Sequence, residues 1–220
     1  MAELITGLDA GKVRERVAEA NERIAQAAQR AGRDPAGVDL LAAVKYVALD
    51  ELGTLADAGL TLLGENRAQE LVAKAQAYPG VFTWDFIGHL QSRKVKDIVP
   101  HVRYIHSVAS DSVLAQLERH ARPETEILVE VNLAGEASKS GIAPAELGAF
   151  IERTPVPVAG LMTMPPAVAA AEQSRPHFAA LRELATAHGL RHLSMGTSQD
   201  YEVAVEEGAT IVRLGSTLYR

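Results

Sequence analysis

Cysteine is missing from all 220 residues of this chain. Its absence excludes disulfides, thiolate metal sites and the cross-linked scaffold of small secreted domains. No apolar run approaches the roughly 20 residues of a membrane span. The N-terminal segment MAELITGLDAGKVRERV has no basic region leading into an apolar stretch and cleavage site, so it does not read as a signal peptide. Positive charge is in deficit, with 22 Lys and Arg against 28 Asp and Glu, net −6. Such a chain has no general electrostatic pull toward nucleic acid. The seven histidines show no ligand spacing and no carboxylate–histidine cluster, so no metal is expected. What remains is a cytoplasmic globular protein with neither nucleic acid nor membrane as partner, read as a monomer. With 47% hydrophobic and 23% charged residues, it has ample material for one core, and residues 1–220 read as one domain.

Hydrophobic periodicity organises the chain. Val13, Val17, Ala20, Ile24, Ala27 and Ala31 recur at spacings of three and four, which predicts an amphipathic helix over 10–31 ending at Gly32. Strands are predicted at 38–44, 60–63, 82–87, 103–107, 126–132, 157–161, 191–194 and 210–214. Helical patterns lie between them at 50–58, 66–77, 92–98, 111–120, 144–153, 172–188 and 199–207. Alternation on this scale means parallel strands joined by crossover helices, and eight short units suggest a closed (β/α)8 TIM-type barrel. No helix is expected after the eighth strand, and the extra N-terminal helix would cover the gap between strands eight and one.

Unusual residues cluster just past the predicted strands, the rim where barrel active sites sit. Lys45 ends the apolar run Leu40–Val44. There its amine would be partly desolvated, its pKa lowered, and ready to form an imine with an aldehyde or ketone. The alternative is a lysine that snorkels to water from a strand end. Gly64-Glu65-Asn66-Arg67 follows strand two and Gly88-His89-Leu90-Gln91-Ser92 follows strand three. Asn66 and His89 could contact a ligand ring, and His89 reads equally as a hydrogen-bonded rim histidine. Ser194-Met-Gly-Thr-Ser198 and Gly215-Ser216 follow strands seven and eight, the loops that commonly hold phosphate in barrels. Ser198 is expected to cap the helix over 199–207. Arg213, near the end of the last strand, must meet an acceptor or an anion. That could be a ring nitrogen, a carboxylate, or an ion pair with Glu65 or Asp200. Lys139 in the Gly135–Gly141 segment, and the Arg93, Lys94 and Lys96 cluster, read as solvated charge. An amine, a phosphate cradle and an arginine together suit an aromatic aldehyde with a phosphate and a ring nitrogen, which pyridoxal 5′-phosphate matches.

The motifs Leu-Leu-Ala-Ala-Val-Lys45, Gly-Glu-Asn-Arg67, Phe-Ile-Gly-His-Leu-Gln-Ser92, Val-Asn-Leu-Ala-Gly-Glu136 with Ser-Lys-Ser-Gly141, Gly-Leu-Met-Thr-Met164, Leu-Ser-Met-Gly-Thr-Ser198 and Val-Arg-Leu-Gly-Ser216 make a further point. In order and content the chain resembles the pyridoxal phosphate homeostasis proteins, the YggS/PROSC type, related to the N-terminal domain of alanine racemase. The resemblance implies a (β/α) barrel with Lys45 as the Schiff-base lysine. It places Ser198, Gly215 and Ser216 around the phosphate, Arg213 at the pyridine nitrogen, and Asn66 and His89 along the cofactor. Val44 departs from the Ser or Thr frequent before the lysine, and Arg93 from the usual Asn. Gly-Ser-Thr-Leu-Tyr stands for the commoner Gly-Thr-Ala-Ile-Phe-Gly.

The resemblance implies a protein that binds, buffers and hands over the cofactor, with acceptor apo-enzymes as partners and no catalytic residues of its own. An arginine cannot protonate the ring nitrogen, so carbanion chemistry is disfavoured. The chain is also expected to lack the second domain that supplies a tyrosine base in racemases. A weak amino-acid racemase and a Schiff-base aldolase are the alternatives. Only a pyridoxal imine would turn the protein yellow, which separates the aldolase, and exchange at the α-carbon of alanine separates the racemase.

Overall fold

The first strand of the barrel is β1 (Asp39–Ala43), a short apolar stretch whose burial continues through Val44. Seven parallel strands follow it: β2 (Leu62–Glu65), β3 (Thr83–Phe86), β4 (Tyr104–Val108), β5 (Glu126–Glu130), β6 (Val158–Met162), β7 (His192–Thr197) and β8 (Ile211–Leu214). The computed structural model describes residues 4–135, 140–166 and 169–219. Each strand pairs with the next, and β8 returns to β1 in the register Leu41↔Arg213 and Ala42↔Leu214, which closes the barrel. All eight predicted strands fall within three residues of the observed ones.

Helix α1 (Ala10–Arg30) precedes β1 and starts at Asp9, whose carboxylate accepts the Lys12 N–H at 2.8 Å. Its buried stripe is Val13, Ala20, Ile24, Ala27 and Ala28; of the predicted face, Val17 is half-buried and Ala31, past the helix end, is exposed. It packs against α2 (Leu52–Asp57), α8 (Tyr201–Glu206) and α9 (Ser216–Tyr219), over the β8–β1 seam as expected. Between the strands lie α3 (Ala68–Ala77), α4 (Val95–Ile98), α5 (Asp111–His120), α6 (Leu147–Glu152) and α7 (Arg175–Ala187). The expected absence of a helix after β8 is corrected to one helical turn, α9. Leu218 N–H reaches the Gly215 carbonyl at 2.9 Å, and Leu218 and Tyr219 are buried. Burying two large side chains at several kcal/mol together is enough to pull the chain end onto the barrel.

Strand alternation divides the barrel wall. Trp84, Phe86, Ile105, Leu193 and Met195 join the outer core beneath the helices. Leu41, Tyr104, Leu128, Ala159, Met162 and Ile211 form a small separate cluster inside the barrel. The alternate positions of β3, β4, β7 and β8 put Asp85, His106, Ser194 and Arg213 inside as well, all buried. The interior is therefore part apolar and part polar. Burial favours neutral His106 and outweighs the opposing effect of its hydrogen bond to Asp85. Burial also acts on Asp85, pushing its pKa up, but bonds from His106 and Arg103 more than offset it and keep the carboxylate below its ordinary range. Arg103 grips Asp85 through two bonds, 3.1 and 2.8 Å, and reaches Asp39 at 2.7 Å.

His106 and half-buried His192 both have pKa values lowered by burial. The unfolded chain then binds more protons than the folded one. Their contribution to stability is complete above the ordinary histidine value of about 6.5 and is lost as pH falls below it. The thermal unfolding midpoint is expected to drop between about pH 8 and about pH 5. The drop should shrink in His106→Gln, and a midpoint flat across this range in the parent protein would contradict buried neutral histidines.

Candidate functional site

At the carboxyl ends of the strands, a cavity of about 570 Å³ opens between the loops that follow β1, β2, β7 and β8. Lys45, Asn66, Ser198, Arg213, Gly215 and Ser216 all line it. These are six of the seven residues picked out from the sequence. His89 is not among its lining residues. It lies just past Gly88 in the turn after β3, is exposed, and faces an adjoining cavity of about 460 Å³ with Ser107, Glu130 and Asn132. Gly88 allows this turn to sit against the loop after β2, since a Cβ there would lie 2.0 Å from the Asn66 carbonyl oxygen.

Lys45 lies in a turn just past β1, with its Nζ 5.0 Å from the centre of the Tyr46 ring. It is exposed, not partly desolvated as expected, because the strand ends two residues earlier and the turn lifts the side chain to the rim. The turn is anchored from below. Lys74 on α3, itself buried, donates to the Val44 carbonyl at 2.8 Å and to Glu65 Oε2 at 2.7 Å. The other oxygen of Glu65 accepts the N–H groups of Asn66 at 2.7 Å and Arg67 at 3.2 Å. One buried ion pair thus fixes the backbone before Lys45 and the backbone that carries Asn66. The Oδ1 of Asn66 and the hydroxyl of Tyr219, buried atoms of two residues that line the cavity, have no hydrogen-bond partner among the described residues. Orphaned polar atoms cost about 1–3 kcal/mol each unless a ligand or water meets them. Burial, aided by Glu65, raises the pKa of Tyr219, so it stays a neutral donor.

The helix cap expected at Ser198 is corrected. Helix α8 starts at Tyr201, and the residue before it is Asp200, whose Oδ1 accepts the Thr197 N–H at 2.8 Å and the Thr197 hydroxyl at 3.2 Å. Asp200 N–H in turn reaches the Thr197 carbonyl at 3.0 Å. This closed turn leaves Ser198 and Gln199 at its tip, where their N–H groups meet no acceptor among the described residues. Gly196 has φ 89°, and a Cβ there would strike Ala204 at 2.5 Å, so glycine lets α8 pack close to β7 and brings the tip over the cavity.

Arg213 is buried, and neither Glu65 nor Asp200 pairs with it. Glu65 is taken by Lys74, and Asp200 by Thr197 and Ser174. Its guanidinium donates instead to neutral acceptors: Ser194 Oγ, the Thr163 carbonyl at 3.0 Å and Met164 Sδ at 2.8 Å. Burial pushes its pKa down to about 10, which still leaves a cation at neutral pH. Arg93 bonds Gln91, and Lys94 lies 3.4 Å from Asp97 beside a separate groove. Lys139 lies outside the described residues. Sequence reasoning missed Ile5, Tyr46, Gln199 and Tyr219 as lining residues. Gln199 could have been found from its place past a strand, whereas Ile5 arrives only through its bridge to Val47.

Removing the cation in Lys74→Met would leave the Glu65 carboxylate buried and unpaired, a loss of roughly 3–5 kcal/mol in urea unfolding. The double variant Lys74→Met/Glu65→Gln is expected to be less destabilised than the single one. A single-variant loss below about 1 kcal/mol would show the pair to be dispensable.

No family model matches the chain. Comparison with curated proteins finds a pyridoxal phosphate homeostasis protein of Aquifex aeolicus, 40% identical in an alignment that covers 93% of this chain and 96% of that one. The protein of the same name from Pseudomonas aeruginosa is 39% identical and covers 94% of each. Among solved structures, PipY of Synechococcus elongatus with pyridoxal phosphate bound superimposes with a TM-score of 0.77 at 31% identity, over 94% of this chain and all of that one. Alanine racemase of Clostridium difficile, at 12% identity, shares the fold with a TM-score of 0.71, this chain matching 59% of its length.

Proposed function

The chain belongs to the family of pyridoxal phosphate homeostasis proteins, and on that premise we propose that it holds pyridoxal 5′-phosphate at Lys45 and buffers or delivers it in vitamin B6 homeostasis. The observation that carries this reading is the convergence in one cavity of a primary amine, a buried cation without a carboxylate, and free donors from the loops after β7 and β8. The donor set fits the cofactor part by part. When bound, the cofactor supplies an aldehyde carbon that condenses reversibly with a primary amine. Lys45 offers that amine from the rim, where solvent or a partner can reach it. Ser198 and Ser216, with the N–H groups of Ser198 and Gln199, offer the donors a phosphate needs. The orphaned groups of Asn66 and Tyr219 await acceptors or donors, and Arg213 offers N–H to the ring nitrogen. His89 stands apart from this set.

The same geometry supports a carrier and not a catalyst. Arg213 keeps its proton at neutral pH and can hydrogen-bond the ring nitrogen without protonating it, so the ring stays a weak electron sink. No carboxylate or imidazole is found in the described lining of the cavity, and burial holds Tyr219 protonated. Apart from Lys45 and the phenol of Tyr46, the described lining offers no further group suited to move an α-proton. Acceptor apo-enzymes are the proposed recipients, and the cytoplasm the proposed compartment. No helix of the described residues is long and apolar enough to cross a membrane.

Borohydride treatment of the yellow protein followed by peptide mapping is expected to place the cofactor on Lys45. Recovery on Lys94 or Lys139 would refute the assignment. The loaded protein incubated with L-alanine in heavy water is expected to leave the α-proton intact by NMR, while transferring cofactor to an apo-enzyme faster than free dissociation allows. Exchange on the order of 1 per second or faster would make this an enzyme.

A further inference from the structure

Arg213 is a buried arginine that bonds only neutral acceptors, and the reason lies deeper in the barrel. Ser194 Oγ, on the neighbouring strand β7, accepts from Arg213 and lies 2.8 Å from His106 Nδ1 on β4. His106 Nε2 lies 3.0 Å from Asp85 Oδ2 on β3. Asp85 is held by Arg103, which also bonds Asp39 at the amino end of β1. The six side chains form one line through the barrel interior, from its floor to the ligand cavity. Asp85, His106 and Ser194 are completely buried.

The chemistry of each link fixes its direction. Arg103 keeps Asp85 ionised, so Asp85 can only accept, and His106 must present Nε2–H to it. A second proton on His106 would place an imidazolium, fully buried, in line with the Arg213 cation. The neutral ring therefore has its lone pair on Nδ1, which accepts a hydrogen bond from the Ser194 hydroxyl. Ser194 is left with its oxygen lone pairs toward Arg213 in every state of the line.

We propose that Ser194 and His106 are positioning residues that hold the Arg213 guanidinium at the cavity floor, unpaired with any carboxylate, for the ring nitrogen of the cofactor. The inference rests on the pyridoxal phosphate reading. The arrangement answers a specific problem. Glu130 and Asp200 both attract Arg213 from beyond bonding distance, and a long flexible side chain free to turn would pair with one of them. The neutral acceptors Ser194, Thr163 carbonyl and Met164 Sδ hold the fork without neutralising it. The nearer carboxylate of the line, Asp85, sits two side chains away. Ordering the guanidinium before the ligand arrives removes that cost from binding.

The test titrates apo-protein, by absorbance and fluorescence, with pyridoxal phosphate and with its carbocyclic analogue, in which C–H replaces the ring nitrogen. The parent protein is expected to bind pyridoxal phosphate more tightly than the analogue. Ser194→Ala is expected to weaken pyridoxal phosphate about tenfold and the analogue by less than about twofold, and His106→Gln to act in the same direction. Equal losses for both ligands, or none, would reduce the line to a packing element and overturn the proposal. Nitrogen-15 NMR of the parent protein gives a second reading that needs no variant to fold. His106 should be neutral with its proton on Nε2, and a proton on Nδ1 or a charged ring would overturn the proposal. A parent protein that binds neither ligand would sink the cofactor reading and this inference with it. Binding of pyridoxal phosphate without selective loss in the variants sinks this inference alone.

Discussion

Pairing of β8 with β1 is the contact on which the site depends. Until those two edges meet, Lys45 and Arg213 are separated by almost the whole chain. The register Leu41↔Arg213 and Ala42↔Leu214 sets them on one rim, with Gly215 and Ser216 beside the turn that carries Lys45. Closure also leaves no free strand edge. It is secured from outside by α1, whose apolar stripe lies on α8 and α9, and by Arg33, which bonds the carbonyls of Val205 and Ala209 on either side of the turn into β8. Arg30 adds an ion pair to Glu206 at 2.7 Å, exposed enough to contribute little.

Two charge systems, buried except at the Arg103–Asp39 end of the second, then divide the labour. Lys74 and Glu65 sit outside the barrel wall beneath the rim and set the backbone on which Lys45 and Asn66 stand. The line from Asp39 to Arg213 runs inside the wall and sets one cation. Each system takes ions out of water, which is unfavourable unless every donor and acceptor is met. In the first system all of Glu65 is met by Lys74 and two backbone N–H groups. In the second, Asp85 is met by Arg103, His106 and the Tyr104 N–H. The unmet groups, Asn66 Oδ1 and the Tyr219 hydroxyl, are buried atoms of two residues that line the cavity. That is the expected signature of a site whose remaining partner is a ligand.

Much of this was legible in the sequence because it is local. The 3.6-residue stripe of α1, the short apolar strands and the helices between them follow from side-chain spacing, and eight such units leave few architectures other than a barrel. The place of Lys45, Asn66, Ser198, Gly215 and Ser216 just past strands, and of Arg213 near the end of the last one, assigns them to one rim from the sequence alone. The line through the barrel was present as polar residues at alternate positions of buried strands, Asp85, His106 and Ser194. Nothing local distinguished an inward from an outward alternation there.

The sequence by itself determined the order and type of the elements, the rim that bears the chemistry, and the family. Only the tertiary structure decided which rim residues meet. It exposed Lys45, turned His89 into a neighbouring cavity, and replaced Ser198 by Asp200 at the start of α8. It also brought Ile5 and Tyr219 to the site. The physical reason is that periodicity reports which face of an element is buried. Which side chain satisfies a buried proton or charge depends on groups that only barrel closure brings within 3 Å or so of one another.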